Sequence, residues 1–280
     1  MSKYGIVIDS SCDLKSDEIK ENDIDFTIVP LSIVVGSKEY VDDDSIDTKQ
    51  MLKDMEEYKD AAKTACPSPG DFIEGFKKSQ EVFCFTLTSA LSGTNNSAVL
   101  AKNTLEEDDS NIKVHVCDTK STAGHMIVLV HKTIELIREG KSFEEISNEI
   151  EEFNKNLHIV FTLGSYSNLI KTGRMSNFVG AIASTLNIRA VCENTPLGEI
   201  QITKKTRGQK AAYNALVELM VSKKSLDSLP IYINHCDNLE AAEIIKNKIL
   251  EIASTAKIEI RNCKGLTSFY AMSGGVLIGF

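Results

Sequence analysis

The feature that most limits how this chain can fold is a series of short, almost wholly apolar runs, each ending in polar residues and followed by a helix-length stretch. In the first half these are Tyr4 to Ile8 with a helix from about Ser16, Val82 to Leu87 with Thr94 to Glu106, and Lys113 to Cys117 with Thr122 to Glu139. Strands that are apolar throughout are buried on both faces, and their alternation with helices reads as a parallel sheet covered by helices. The polar ends of such strands open at one edge of the sheet, where ligand groups are expected to collect.

Ser142 and Glu145 make a capping box for a helix running to about Phe153, which leads into a second unit. The expected boundary lies near Asn156, giving domains 1–156 and 157–280 in a chain of 280 residues. The second unit reads as a strand over His158 to Leu163, a polar loop to Ser176 and a helix near Gly180 to Leu186. A hairpin across Pro196, Leu197 and Gly198 leads into Glu199 to Thr203. Helices over Gln209 to Ser222 and Leu239 to Ser254 bracket the strand Ile231 to His235, and Ile258 to Arg261 and Val276 to Phe280 close the chain. The expected fold class is therefore α/β, an N-terminal parallel-sheet domain and a C-terminal mixed-sheet domain with a ligand cleft between them.

Charge and composition narrow the function. A formal charge of −9 opposes nucleic acid and anionic membrane surfaces, both of which call for a basic field. No apolar stretch approaches the roughly 20 residues of a spanning helix, so no integral membrane association is expected. The apolar run before Asp9 is too short for the core of a secretory signal. Seven cysteines, odd in number and scattered without a C-x-x-C pair, fit a reducing compartment, and a cytoplasmic location is expected.

Several familiar motifs fail on inspection. Gly140-Lys141-Ser142 ends like a phosphate loop, but Glu135 stands where its first glycine should be and the segment closes a helix. Gly274-Gly275 precedes a strand and does not open a helix, so no dinucleotide fingerprint is present. Ala90-Leu91-Ser92-Gly93-Thr94 lacks the first glycine of a nucleophile elbow. The five histidines show no metal-ligand spacing, and Asp42-Asp43-Asp44 lacks the spacing of a calcium loop and reads as a solvated acidic loop. No catalytic residue and no metal ligand is assigned.

Three hydroxyl-bearing loops remain: Asp9-Ser10-Ser11, Thr88 to Thr94, and Asp118-Thr119-Lys120-Ser121. All three are expected on one sheet edge, beside helix N-termini with free N–H groups, a neutral cradle for a carboxylate or phosphate. Any one of them taken alone reads first as a helix cap, whereas three together favour a site.

The same segments resemble the DegV family nearly end to end. The resemblance rests on Ile8 to Leu14, Val29-Pro30-Leu31 with Gly36, Tyr40 and Asp42, Thr64 to Phe72, and Leu91-Ser92-Gly93-Thr94. It continues through Asp118 to Ser121, Leu169 to Ser176 and Gly198-Glu199-Ile200. It implies a long, palmitate-like fatty acid in an inter-domain tunnel, its carboxylate bonded by Thr64 and Ser92, with no other cofactor. It also implies a role as the non-catalytic subunit of a fatty acid kinase, presenting the acid to a separate kinase that makes an acyl phosphate. Gly93, Ser121, Arg174 and Tyr270 would support the head group, with Arg174 facing the cleft from the side opposite Thr64 and Ser92. Tyr270 stands where the family often has a histidine, and Ala65 and Cys66 replace a common serine and glutamine. Lys204, Lys205, Arg207 and Lys210 form a basic cluster in an acidic chain, a candidate docking patch for the kinase whose alternative is a solvated face. The competing functional class is a freestanding enzyme acting on a small carboxylate or phosphorylated metabolite through the same cradle.

Overall fold

The computed structural model describes residues 1–109, 111–175 and 187–280. The first half runs β1 (Ser2–Asp9), β2 (Ile24–Val29), β3 (Ser32–Val35), β4 (Lys38–Val41), α1 (Thr48–Glu57), β5 (Lys63–Ala65) and α2 (Pro69–Phe76). It continues with β6 (Ser79–Thr86), α3 (Thr94–Asp108), β7 (Lys113–Asp118), α4 (Gly124–Arg138) and α5 (Phe143–Asn154). The second runs β8 (Ile159–Thr162), α6 (Ser167–Lys171), β9 (Ile188–Asn194), β10 (Ile200–Arg207) and α7 (Gln209–Lys223). It ends with β11 (Pro230–His235), α8 (Leu239–Ile252), β12 (Lys257–Asn262), α9 (Gly265–Ala271) and β13 (Val276–Gly279).

The molecule is a two-domain α/β fold. The first sheet, ordered β2-β1-β6-β7, is parallel throughout, as its unbroken apolar runs require. The second, ordered β10-β9-β8-β13-β11-β12, is mixed: β11 and β12 pair in parallel and the remaining neighbours are antiparallel. The hairpin expected at Pro196 to Gly198 joins β9 to β10. The capping box at α5 is formed, with Glu145 N donating to Ser142 Oγ and Ser142 N to Glu145 Oε2. Among the described residues no helix is long and apolar enough to cross a membrane.

Sheet alternation separates the two faces of the second domain. Val160, Val191, Ile233 and Ile278 pack with α7 and α8, while Ile159, Phe161, Cys192 and Leu277 face the first half of the chain. Helix α4 lies between the sheets, packing on both the first-sheet core and on β11 and β13. Its close approach depends on two glycines. A Cβ on Gly279 would lie 2.1 Å from His125 N, and one on Gly124 would lie 2.7 Å from Tyr232 Cβ. Burial holds His125 neutral, pushing its pKa down to about 4, while its Nε2 meets Asn154 Oδ1 of α5 at 2.7 Å.

Two readings from the sequence need correction. The helix expected from about Ser16 is absent. The Asp9 side chain caps a 3-10 turn over Ser10–Cys12, Asp13 leaves it at φ 63°, and Ser16 N bonds Asp44 across the chain instead of starting a helix. The loop expected to run from β8 to Ser176 contains α6, whose Asn168 side chain donates to Phe269 O at 2.7 Å. A three-stranded antiparallel sheet, β4-β3-β5, was not foreseen because its strands have only three or four residues. Its Ile33 and Val35, with Met51 and Leu52 of α1, share one core with Ile159, Phe161 and Leu277 of the second sheet. The helix expected near Gly180 to Leu186 lies outside the described residues, as does Ser176.

Candidate functional site

The loops after β6 and β7 fold over the inner face of the second sheet and enclose a pocket of about 850 Å³, counting its open mouth. Ile159, Phe161 and Leu163, alternate residues of β8 and its end, form one wall with Leu277 of the neighbouring β13. Leu31, Leu87, Leu91, Leu169 and Leu266 complete a lining that is mostly hydrocarbon.

The polar groups of the lining come from distant parts of the chain. Thr64 on β5 and Tyr270 on α9, 206 residues apart, meet with their hydroxyl oxygens 3.2 Å apart. Ser92 lies in the same lining, its hydroxyl 2.9 Å from Thr94 Oγ1 and accepting from Thr94 N at 3.3 Å. Ser121 is buried in the wall, and its Oγ has no hydrogen-bond partner among the described residues. Buried hydroxyls without partners are costly, and a bound acceptor would satisfy them. Two hydroxyls can hold a carboxylate without a permanent charge.

Arg174 belongs to the lining, but among the described residues its bonds go to backbone carbonyls: Nε to Leu91 O at 3.2 Å and Nη1 to Thr172 O at 2.7 Å. It therefore ties the Ser92 loop to the second domain, an orienting role that suits a planar multidentate donor. Thr88 Oγ1 donating to Gly198 O and Asn194 Nδ2 donating to Lys120 O, each at 3.0 Å, tie the same edges together.

Gly93 occupies the N-cap of α3, exposed and outside the lining. Thr88, Lys120, Thr122, Asn194 and Thr267 also line the pocket, and the family resemblance assigns a role to none of them. The Lys120 ammonium is held 2.6 Å from Asp118 Oδ2. Burial opposes ionisation of Asp118, but bonds from Lys120 and Ser89 outweigh it and hold the carboxyl below its ordinary range. Lys120 and Thr88 sat in the hydroxyl-rich loops that drew attention; Asn194 carries no motif, and only its place at a strand end before a hairpin could have pointed to it.

Two expectations fail here. The Asp9-Ser10-Ser11 loop shares the edge but faces inward. Asp9 takes Leu87 N and the Ser11 hydroxyl, each at 2.6 Å, and Ser10 Oγ accepts from Leu31 N at 3.1 Å. These residues place two leucines of the pocket wall and leave nothing for a ligand. Burial pushes the Asp9 carboxyl up to about 6 against those hydrogen bonds. The acidic run is not simply solvated either: Asp42 is buried and accepts Gly265 N at 2.7 Å and Leu266 N at 2.9 Å, while Asp43 and Asp44 are exposed.

The basic cluster is divided by the strand that carries it. All four residues are exposed, but Lys204 pairs with Glu218 of α7 at 2.8 Å. After a register shift between Ile202 and Lys204, Lys205 and Arg207 share the opposite face of edge strand β10, with Lys210 in the first turn of α7. Among the described residues, His115, Cys117 and Glu151 form the one grouping with ligand atoms close enough to share a metal ion, and none of them lines the pocket. All seven cysteines are unpaired, and only Cys66, near Gly93, is exposed.

Comparison with known proteins places this architecture. A DegV domain-containing protein of Streptococcus pyogenes is 38% identical over 277 residues, covering 99% of both chains. The fatty acid kinase B3 protein of Streptococcus pneumoniae, solved loaded with linoleic acid, superposes with a TM-score of 0.95 at 35% identity, covering 99% of each chain. A DegV family protein of Eubacterium eligens loaded with heptadecanoic acid gives 0.92 at 31%, covering 99% of this chain and 98% of that one. The family model described as an uncharacterised protein of the DegV family matches residues 3–278, and this chain belongs to the DegV family.

Proposed function

We propose that this protein binds one long-chain fatty acid in the pocket between its domains, with the carboxylate held by Thr64 and Ser92 and supported by Ser121 and Tyr270. The observation that carries this reading is a hydrocarbon-lined pocket whose lining brings together Thr64, Tyr270 and Ser92. The solved relatives that carry linoleic and heptadecanoic acids support it. Affinity comes mainly from the acyl chain: at about 0.8 kcal/mol per buried methylene, a dozen or so methylenes outweigh head-group bonds of about 1 kcal/mol each. The head group contributes direction and position.

The protein itself performs no chemistry in this reading. A separate kinase transfers the terminal phosphoryl group of its nucleotide to a carboxylate oxygen, forming the acyl phosphate and releasing the nucleoside diphosphate. Lys205 and Arg207, side by side on the exposed face of β10, with Lys210, are the docking surface, and Lys204 is occupied by Glu218.

Native mass spectrometry of freshly purified protein tests the binding step. One fatty acid per chain is the expected result, and an empty pocket that turns over a small carboxylate or phosphorylated metabolite would replace this reading with an enzymatic one. Reversing the charge at Arg207 should slow acyl phosphate formation by a cognate kinase several-fold at low salt and leave lipid content unchanged. Equal rates for parent and variant would remove the docking surface.

A further inference from the structure

Helix α9 is the partition between two cavities. Leu266, Thr267, Tyr270 and Ala271 face the proposed fatty acid pocket, whereas Lys264 and Ser268 line a separate polar cleft on its other side. At seven residues it is too short to be stable alone, and its N-cap residue Lys264 provides no side-chain cap. Its first N–H groups are taken instead by two carboxylates from the first half of the chain. Asp13 Oδ1 accepts from Lys264 N at 2.8 Å, and Asp42 accepts from Gly265 N and Leu266 N through its two oxygens at 2.7 and 2.9 Å. Position 265 admits only glycine in this arrangement, since a Cβ there would lie 2.6 Å from Asp42 Oδ1.

Asp42 directly follows β4, and Thr64 lies on β5 of the same three-stranded sheet. That small sheet therefore holds α9 at both ends, through Asp42 at its start and through the Thr64–Tyr270 hydroxyl pair near its close. Asp42 is itself fixed: its N–H donates to Leu31 O at 2.8 Å, and Leu31 N donates to Ser10 Oγ at 3.1 Å.

We propose that Asp42 is a positioning residue for the fatty acid head group: its two-pronged hold on Gly265 and Leu266 sets the distance between Tyr270 and Thr64. It touches no ligand and acts through Tyr270. The proposal rests on the fatty acid reading above.

A double-mutant cycle on palmitate dissociation from reloaded, full-length protein tests it. Asp42→Asn replaces one acceptor oxygen with a donor facing a backbone N–H and should speed dissociation about five- to tenfold, and Tyr270→Phe about threefold to fivefold. In the Tyr270→Phe background, Asp42→Asn should then add less than twofold, because the hydroxyl it positions is gone. A capping residue with a merely structural role would give effects that multiply, and that result, or an unchanged rate for Asp42→Asn, would overturn the proposal. Should Asp42→Asn not fold, Asp42→Glu, which keeps the charge and moves both acceptor oxygens by one methylene, disturbs the same bonds and is read by the same cycle. A parent protein that takes up no palmitate would remove the fatty acid reading and Asp42's role with it, whereas a parent that binds while the cycle shows no coupling removes only the latter.

Discussion

The loop after β1 and the loop after β6 look alike as sequence, hydroxyl-rich turns at the polar ends of buried parallel strands, yet they do opposite things. Asp9, Ser10 and Ser11 spend their bonds on Leu87, Leu31 and one another. Among the described residues Ser92 bonds only its near neighbour Thr94, and it stands in the pocket lining. What separates scaffold from site is whether the polar groups are consumed by the protein's own backbone.

That contrast is most sharply tested at Asp9. Asp9→Ala strands Leu87 N and the Ser11 hydroxyl in a fully buried place, at a cost of at least about 3 kcal/mol, or roughly 6–12 °C in the midpoint of thermal unfolding. A midpoint within 2 °C of the parent would break the scaffold half of the comparison.

The opposite outcome is expected on the pocket side. Thr64→Ala and Ser92→Ala should each leave the unfolding midpoint nearly unchanged while weakening fatty acid retention about fivefold, and roughly 30-fold together, as two hydrogen bonds of about 1 kcal/mol would. Full lipid content in the double variant would break the other half.

A smaller effect comes from Asp13, at the far end of the scaffold loop. Burial raises its carboxyl to about 7, against bonds from Lys264 N and others. A raised folded-state pKa gives stability that is complete below the unfolded value of about 3.9 and is lost as pH climbs through about 7. Between pH 6.5 and 8 the parent should therefore lose about 1 kcal/mol, or roughly 2–4 °C. Calorimetry of Asp13→Asn should show that slope removed, and an unaltered slope would assign it elsewhere.

Much of the fold was legible because its signals are local. Both-face burial marks β1, β6 and β7 as parallel strands, and Ser142 and Glu145 cap α5 through contacts three residues apart. The short strands β3 to β5 carry too few residues for a period to show, and the helix expected near Ser16 lost to a turn capped by Asp9 and a bond to Asp44. Thr64, Ser92, Ser121, Arg174 and Tyr270, which the family resemblance picks out, all lie in the pocket lining. Arg174 proved to grip backbone carbonyls, and Lys204 proved to be paired, because both outcomes depend on partners remote in sequence.

Sequence by itself determined the strand and helix rhythm, the absence of nucleotide-loop motifs and the set of hydroxyls from which a head-group site could be built. Only the tertiary structure decided which hydroxyls remain open, since Ser10 and Ser11 are taken up while Ser121 Oγ is left without a partner among the described residues. It alone brought Thr64 to Tyr270 across 206 residues and turned Asp42 from a loop acid into the cap of α9. The physical reason is range: propensity and capping act over a few neighbouring residues, whereas a buried polar group is satisfied by whatever the folded chain sets beside it.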